Sequence, residues 1–170
     1  MSDNYVKKVV LVGIENSGKT SIALCLKGVK NLGSFSVKPT KELKIDNFKT
    51  FDTEFSIWDF PGQELLRNEP IDNFDSRIKN ADKIIYVIDI QDNERYEPSI
   101  EYLRKFVNLI IKKDLKTEFS IFLHKFDPDI AIDDSLPKTL IKGIHKVIPP
   151  NFKILIFKTS IFTTFQKSAI

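Results

Sequence analysis

One segment, residues 13–20, constrains the fold of this chain more than any other. It reads G-I-E-N-S-G-K-T and matches the pattern G-x-x-x-x-G-K-[ST]. The apolar run Val6–Val12 before it is typical of a strand buried on both faces, and residues 18–28 after it predict a helix. A loop in this setting presents backbone N–H groups and a helix N-terminus to phosphate oxygens. The sequence therefore predicts a phosphate-binding loop between a buried strand and a helix.

The side chains of this loop have distinct predicted roles. Lys19 is expected to reach the β- and γ-phosphates as a point charge, and the Thr20 hydroxyl is expected to coordinate Mg²⁺. A glycine-rich turn that binds no ligand is the alternative interpretation. The other phosphate-binding positions that the pattern predicts are Gly13, Asn16, Ser17 and Gly18.

Strand and helix patterns alternate along the rest of the chain, which predicts a mostly parallel sheet wrapped by helices. Further strands are predicted at residues 41–48, 55–58, 83–90, 120–123 and 152–157, the first two forming a hairpin. Further helices are predicted after Pro70, at residues 96–113, in the segment containing Pro137, and from Ser160. We therefore expect one α/β domain over residues 1–170, with a six-stranded sheet, five helices and a short final helix.

Residues 59–63 read D-F-P-G-Q and resemble the D-x-x-G-Q segment of Ras-like GTPases. The resemblance implies a P-loop NTPase with a Ras-like fold that binds GTP or GDP. It also implies that Asp59 holds a Mg²⁺-bound water and that the Gly62 N–H bonds the γ-phosphate. Gln63 would orient the water that attacks this phosphate.

The base-reading segment is expected at residues 124–127, H-K-F-D, which resemble the N-K-x-D segment of the same proteins. A carboxylate at Asp127 can accept hydrogen bonds from guanine N1–H and the 2-amino group, whereas adenine offers no such pair. The Lys125 stem can lie over the base. His124 stands where these proteins usually have Asn, and it is expected to connect two loops by hydrogen bonds. Ser160, in a T-S-I segment, either belongs to the base site or caps a helix.

The combination of W-D-F-P-G-Q, Y-V-I-D and H-K-F-D resembles the nucleotide domain of the Rag/Gtr GTPases over essentially the whole chain. The spacing of Thr40 to Asp59 resembles that of Arf-like and Rag-like proteins and implies that Thr40 closes over Mg²⁺. A polar loop residue after Pro39 is the alternative. The resemblance implies a slow GTPase switch with a GAP, an exchange factor and an effector as partners. It further implies a Rag-like dimer or a roadblock- or longin-type partner, although no C-terminal roadblock domain is expected.

Two rival functions remain open at this point. The first is a nucleotide-bound scaffold or dimerisation module that does not hydrolyse GTP. Gln63 argues against it, whereas Pro61 and the lack of a clear arginine finger leave it open. The second is an ATP-dependent kinase of a small substrate, against which the Asp127 segment and the absence of an Arg-rich lid argue.

Composition and charge exclude several other classes. The net charge is +3 and is dispersed, so no nucleic-acid partner is predicted. With a single cysteine, Cys25, no internal disulfide can form. No apolar run approaches a membrane span, and no lipidation motif is present. We expect a cytoplasmic protein without a membrane anchor of its own, which a partner can recruit to a membrane.

Overall fold

The computed structural model describes residues 6–29, 42–50, 53–60, 77–128, 130–133 and 135–162. Within these ranges the chain forms six strands and three α-helices. The strands are β1 (Val6–Val12), β2 (Lys44–Thr50), β3 (Thr53–Asp59), β4 (Lys83–Asp89), β5 (Glu118–His124) and β6 (Leu155–Lys158). The helices are α1 (Lys19–Leu26), α2 (Tyr96–Lys112) and α3 (Ser135–Val147).

The strands form one sheet in the order β2-β3-β1-β4-β5-β6. Only the β2–β3 pair is antiparallel, because these strands are the two arms of the predicted hairpin. The pairs β1–β3, β1–β4, β4–β5 and β5–β6 are parallel. The prediction of a six-stranded, mostly parallel sheet is therefore confirmed. The parallel pairing also brings the carboxyl ends of five strands to one edge of the sheet.

Strand β4 shows why the sheet is buried on both faces. Ile84, Tyr86 and Ile88 belong to the larger apolar cluster, which includes side chains of α2 and α3. Ile85 and Val87 point to the opposite face and belong to the cluster formed with α1. Successive side chains of a strand alternate between faces, so a strand covered on both sides must be apolar at nearly every position.

The buried face of α2 only partly matches the apolar stripe that helical spacing predicts, which consists of Ile100, Leu103, Val107, Ile110 and Ile111. Leu103, Val107 and Ile110 are buried as expected, but Ile111 is 47% exposed. The buried stripe includes Tyr102 and Phe106 instead, because their rings pack in a row between Tyr86 and Phe119. No helix in the described ranges is long and apolar enough to cross a membrane.

Two strands begin later in the chain than the sequence predicts. Strand β2 begins at Lys44 rather than residue 41, and β6 begins at Leu155 rather than residue 152. Phe152 lies in a turn, where its N–H donates to Pro149 O at 2.9 Å. Residues 77–78 and 161–162 are helical, but most of the helices predicted after Pro70 and from Ser160 lies outside the described residues.

Candidate functional site

The candidate site lies at the edge where the parallel strands end. The loop of residues 13–18 joins β1 to α1 there, and Asp59 and Asp89 are the last residues of β3 and β4. Residues 124–127 follow β5 at the same edge, and residues 159–160 follow β6. Ligands of open α/β sheets bind at this edge, because loops from several strands converge on it.

Two glycines of the loop are required by close packing. Gly13 has φ 144°, and a Cβ atom built there would collide with Val87 O of β4. Gly18 has φ 94°, and a Cβ atom there would lie 2.5 Å from Cδ2 of His124. A side chain at either position would meet both backbone strain and a steric clash. The loop is therefore pressed against the ends of β4 and β5.

Lys19 is the basic residue of the phosphate-binding segment 13–20, and it is 5% exposed. Its Nζ donates to Ile14 O at 2.8 Å, so the amine lies within the loop itself. Burial lowers the Lys19 pKa to about 8, while the negative charges of Asp59 and Glu15 act in the opposite direction. Ser17 Oγ in the same loop is buried and makes no hydrogen bond to the described residues. These groups fit a site that receives an anion.

Thr20 and Asp59 bring together the oxygen ligands expected for Mg²⁺. Thr20 Oγ1 donates to Asp59 Oδ2 at 2.5 Å, although the residues are 39 positions apart in sequence. A hydroxyl and a carboxylate fit Mg²⁺, which proteins bind through few side chains plus phosphates and water. The described part of the chain contains no group of three or more His, Cys, Asp or Glu side chains around one point. Thr40, Gly62 and Gln63, the other predicted ligands of this region, lie outside the described residues.

Lys125 connects the loop after β5 to the phosphate loop. Its Nζ donates to Asn16 O at 3.0 Å and forms an ion pair with Asp89 Oδ2 at 2.5 Å. Its backbone is left-handed, with φ 67°. The predicted phosphate and base segments are therefore in direct contact, and Asp89 at the end of β4 joins them.

Asp127 and Ser160 lie side by side. Ser160 Oγ donates to Asp127 Oδ1 at 2.5 Å and accepts from Phe162 N at 3.2 Å. Ser160 is 2% exposed. Both interpretations of Ser160 from the sequence thus have a structural counterpart, because the hydroxyl contacts the predicted base-reading carboxylate and caps the start of a helix.

His124 lies between the phosphate loop and the segment after β6. It is 3% exposed, its ring faces Gly18, and its Nδ1 lies 3.0 Å from Thr159 Oγ1. Burial lowers the His124 pKa to about 4; Asp127 and Asp89 act to raise it, and Lys125 acts to lower it. The imidazole is therefore neutral near neutral pH and acts through hydrogen bonding and packing.

Sequence reasoning missed two residues at this edge and recognised Asp89 only as part of a family resemblance. Gln91 Nε2 donates to Lys125 O at 2.7 Å and lies 3.3 Å from Asp127 Oδ2. Arg95 Nη1 donates to Glu15 O in the phosphate loop at 3.3 Å, and its Nε contacts Asp92. The available signal was that these polar residues follow directly after a buried strand of a parallel sheet.

The sheet order, the loop and the strand-end side chains define a P-loop nucleotide-binding domain of the Ras-like class. The sequence matches the family described as "Gtr1/RagA G protein conserved region" over residues 8–166. The chain therefore belongs to this family. The family and the fold together support the assignment of this chain as a GTP-binding small GTPase.

Individual relatives agree with this assignment. The chain is 30% identical over 163 residues to ADP-ribosylation factor-like protein alp41 of Schizosaccharomyces pombe, covering 96% of this chain and 77% of that protein. It is 30% identical over 128 residues to human Ras-related GTP-binding protein C, covering 74% of this chain and 31% of that protein. It is 32% identical over 123 residues to GTP-binding protein gtr2 of S. pombe, covering 71% of this chain and 38% of that protein. The chain thus spans about a third of the length of these last two relatives.

Among solved structures, the fold is similar to that of the Arl6 BBS3 small GTPase from Trypanosoma brucei with bound nucleotide analogue GppNp. The TM-score is 0.67 at 21% sequence identity, and the match covers 97% of this chain and 98% of the other. At this identity the similarity establishes the fold, and the prediction of a Ras-like fold is confirmed.

Proposed function

We propose that this protein is a molecular switch that hydrolyses GTP slowly to GDP and phosphate and binds partners in a nucleotide-dependent way. The observation that carries the proposal is the direct contact between two groups of residues. Lys125 of the candidate base loop, residues 124–127, donates a hydrogen bond to Asn16 O of the phosphate loop, so one ligand with a base and phosphates can span both. Such a ligand would have its phosphates near Lys19 and its base near Asp127.

Guanine selection is assigned to Asp127. Its carboxylate is fixed by Ser160 and can accept two hydrogen bonds from the guanine N1–H and 2-amino groups. Asp127→Asn replaces an acceptor by a donor, so GTP binding should weaken and xanthosine nucleotides should be favoured. Competition binding with GTP, ATP and XTP on wild type and variant measures this directly. Equal affinity of the wild type for ATP and GTP would remove the basis of the proposal.

Mg²⁺ fits the Thr20–Asp59 pair described above, and Thr40 is proposed as a further ligand. When bound, the ion would neutralise charge on the phosphates. The residues of this chain would bind the phosphates and position the attacking water. Lys19 would bind phosphate oxygens, the Gly62 N–H would bond the γ-phosphate, and Gln63 would orient the attacking water.

The expected rate follows from what the chain supplies by itself. Intrinsic hydrolysis by Ras, a different protein, is about 3–5 × 10⁻⁴ s⁻¹ and rises about 10⁵-fold when a partner supplies an arginine. We expect intrinsic turnover here at or below roughly 10⁻³ s⁻¹. Gln63→Leu should slow single-turnover phosphate release while leaving GTP affinity nearly unchanged, because the side chain acts on water. Equal and negligible rates in wild type and variant would favour a scaffold that only binds nucleotide.

The partners belong to the same proposal. A slow switch needs an exchange factor to load GTP and a GAP to accelerate hydrolysis, and the loops around Thr40 and Gln63 are proposed to bind an effector. Membership of the Gtr1/RagA family favours pairing with a second GTPase subunit, and a roadblock- or longin-type protein is proposed as an alternative partner. We propose a cytoplasmic location with partner-dependent membrane recruitment. Size-exclusion chromatography with GDP and with a non-hydrolysable GTP analogue tests nucleotide-dependent assembly.

A further inference from the structure

Gln91 occupies a position that connects two strand ends of the candidate base site. It follows β4 by two residues, and its backbone N–H donates to Asp89 Oδ1 at 2.9 Å. The other oxygen of the same carboxylate, Oδ2, holds Lys125 Nζ. The Gln91 backbone is therefore anchored to the residue that pairs with the base loop, and its side chain extends from this anchor towards that loop.

The side-chain amide of Gln91 makes two contacts with the base loop. Its Nε2 donates to Lys125 O at 2.7 Å and lies 3.3 Å from Asp127 Oδ2. A carbonyl and a carboxylate are both acceptors, so the NH₂ group and not the amide oxygen must face them. One amide with two donors thus serves the backbone and the side chain of the same loop.

The backbone contact stabilises an uncommon conformation. Lys125 has φ 67°, in the left-handed region that is unfavourable for a residue with a side chain because its Cβ lies too close to the following carbonyl oxygen. Its carbonyl is the group that accepts from Gln91, and Asp127 follows two residues later. The path of the chain into Asp127 therefore depends on a peptide group that Gln91 holds.

The side-chain contact limits rotation of the Asp127 carboxylate. Ser160 Oγ donates to Oδ1, and Gln91 Nε2 lies beside Oδ2. Each oxygen of the carboxylate therefore contacts a donor from a different strand end, that of β6 or that of β4. A carboxylate has about four lone-pair sites, and two remain after these contacts. Rotation about the terminal torsion of Asp is soft, so external donors decide where the remaining lone pairs point.

We propose that Gln91 is a specificity-determining positioning residue, which aligns the Asp127 carboxylate with the donors of a guanine base. The inference rests on the guanine-nucleotide site proposed above. In this arrangement Ser160 and Gln91 fix the carboxylate plane, and the base supplies the N1–H and 2-amino donors. Loss of Gln91 should weaken recognition of the 2-amino group most, because that hydrogen bond depends on the orientation of Asp127 Oδ2, the carboxylate oxygen beside Gln91.

The test compares GDP with IDP, whose base lacks the 2-amino group, in wild type and three variants. Gln91→Leu removes both donors at similar size. Gln91→Glu keeps the shape but places a second carboxylate against Asp127. Asn93→Leu is the matched control, since Asn93 is an exposed amide of the same segment. Dissociation constants are measured by competition against a fluorescent guanine nucleotide, and folding is checked by thermal unfolding with Trp58, the single tryptophan, as the probe.

Wild type and Asn93→Leu should prefer GDP to IDP by the same factor. In Gln91→Leu this preference should fall about fivefold, with most of the loss in GDP binding. Gln91→Glu should bind GDP more weakly than Gln91→Leu, because like charges oppose each other. A purely structural role would lower GDP and IDP affinity equally and leave the ratio unchanged.

The outcomes separate this inference from the proposed function. If wild type binds GDP no better than ADP, the guanine site itself is wrong. If wild type prefers GDP to ADP but Gln91→Leu keeps the GDP-to-IDP ratio within twofold of wild type, the guanine site stands and the role of Gln91 is wrong. A wild type without preference between GDP and IDP, or a Gln91→Glu variant that matches wild type, also overturns the role.

Discussion

Protonation of His124 should destabilise the fold in mild acid, and the structure sets the size of the effect. The side chain is 3% exposed, and burial lowers its pKa from 6.5 to about 4. Between these pH values the unfolded chain binds the proton more strongly than the folded protein, so stability is present above about pH 6.5 and is lost as pH falls towards 4. At 1.36 kcal/mol per pKa unit, the full loss is about 3 kcal/mol, of which about 2 kcal/mol falls between about pH 7 and pH 5.

The assay for this prediction is urea unfolding at several pH values, followed by the fluorescence of Trp58. Other groups also make stability depend on pH, so the informative quantity is the difference between wild type and His124→Asn, whose amide does not titrate. Wild type should lose about 2 kcal/mol more than this variant between about pH 7 and pH 5. His145, the second histidine of the chain, is exposed, so His145→Asn should follow wild type. The reasoning is refuted if wild type and His124→Asn lose stability in parallel.

Three further predictions concern the phosphate loop. Nucleotide affinity should fall as pH rises past about 8, because Lys19 must then take up a proton when the nucleotide binds. The guanidinium of a Lys19→Arg variant stays charged at this pH, so the affinity of that variant, measured by competition binding, should not depend on pH in this way. Gly18→Ala should destabilise the fold by more than Gly28→Ala in urea unfolding, since both residues have positive φ but only Gly18 meets the imidazole ring; equal effects would contradict the packing argument. Thr20→Ala removes the hydroxyl beside Asp59, so GDP affinity should drop with Mg²⁺ present and change less in EDTA, and equal losses in both conditions would speak against a metal ligand.

Much of the fold was determined by local sequence patterns. The continuous burial of β4 and of the second half of β1 needs only a chain that is apolar at successive positions, because a strand covered on both faces has no polar side. The phosphate loop is likewise a local feature, since its glycines and its lysine lie within eight residues. The boundaries of β1 and the start of α2 were therefore predicted correctly, while edge strands such as β6 shifted because a turn competes for their first residues.

Tertiary structure alone decided which distant residues meet. Ile111 is exposed, and the buried stripe of α2 includes Tyr102 and Phe106 instead. Their rings pack in a tilted row between Tyr86 and Phe119, a set of contacts that helical spacing does not contain. Gly18 must be glycine because the ring of His124 lies against it.

The strand order β1-β4-β5-β6 places the end of β4 between the phosphate loop and the base loop, and only then can Asp89 and Gln91 contact Lys125. A sequence specifies each strand through a short-range pattern of apolar residues. The neighbours of a strand are selected by long-range packing of the whole sheet, so the contacts at strand ends follow from the folded structure alone.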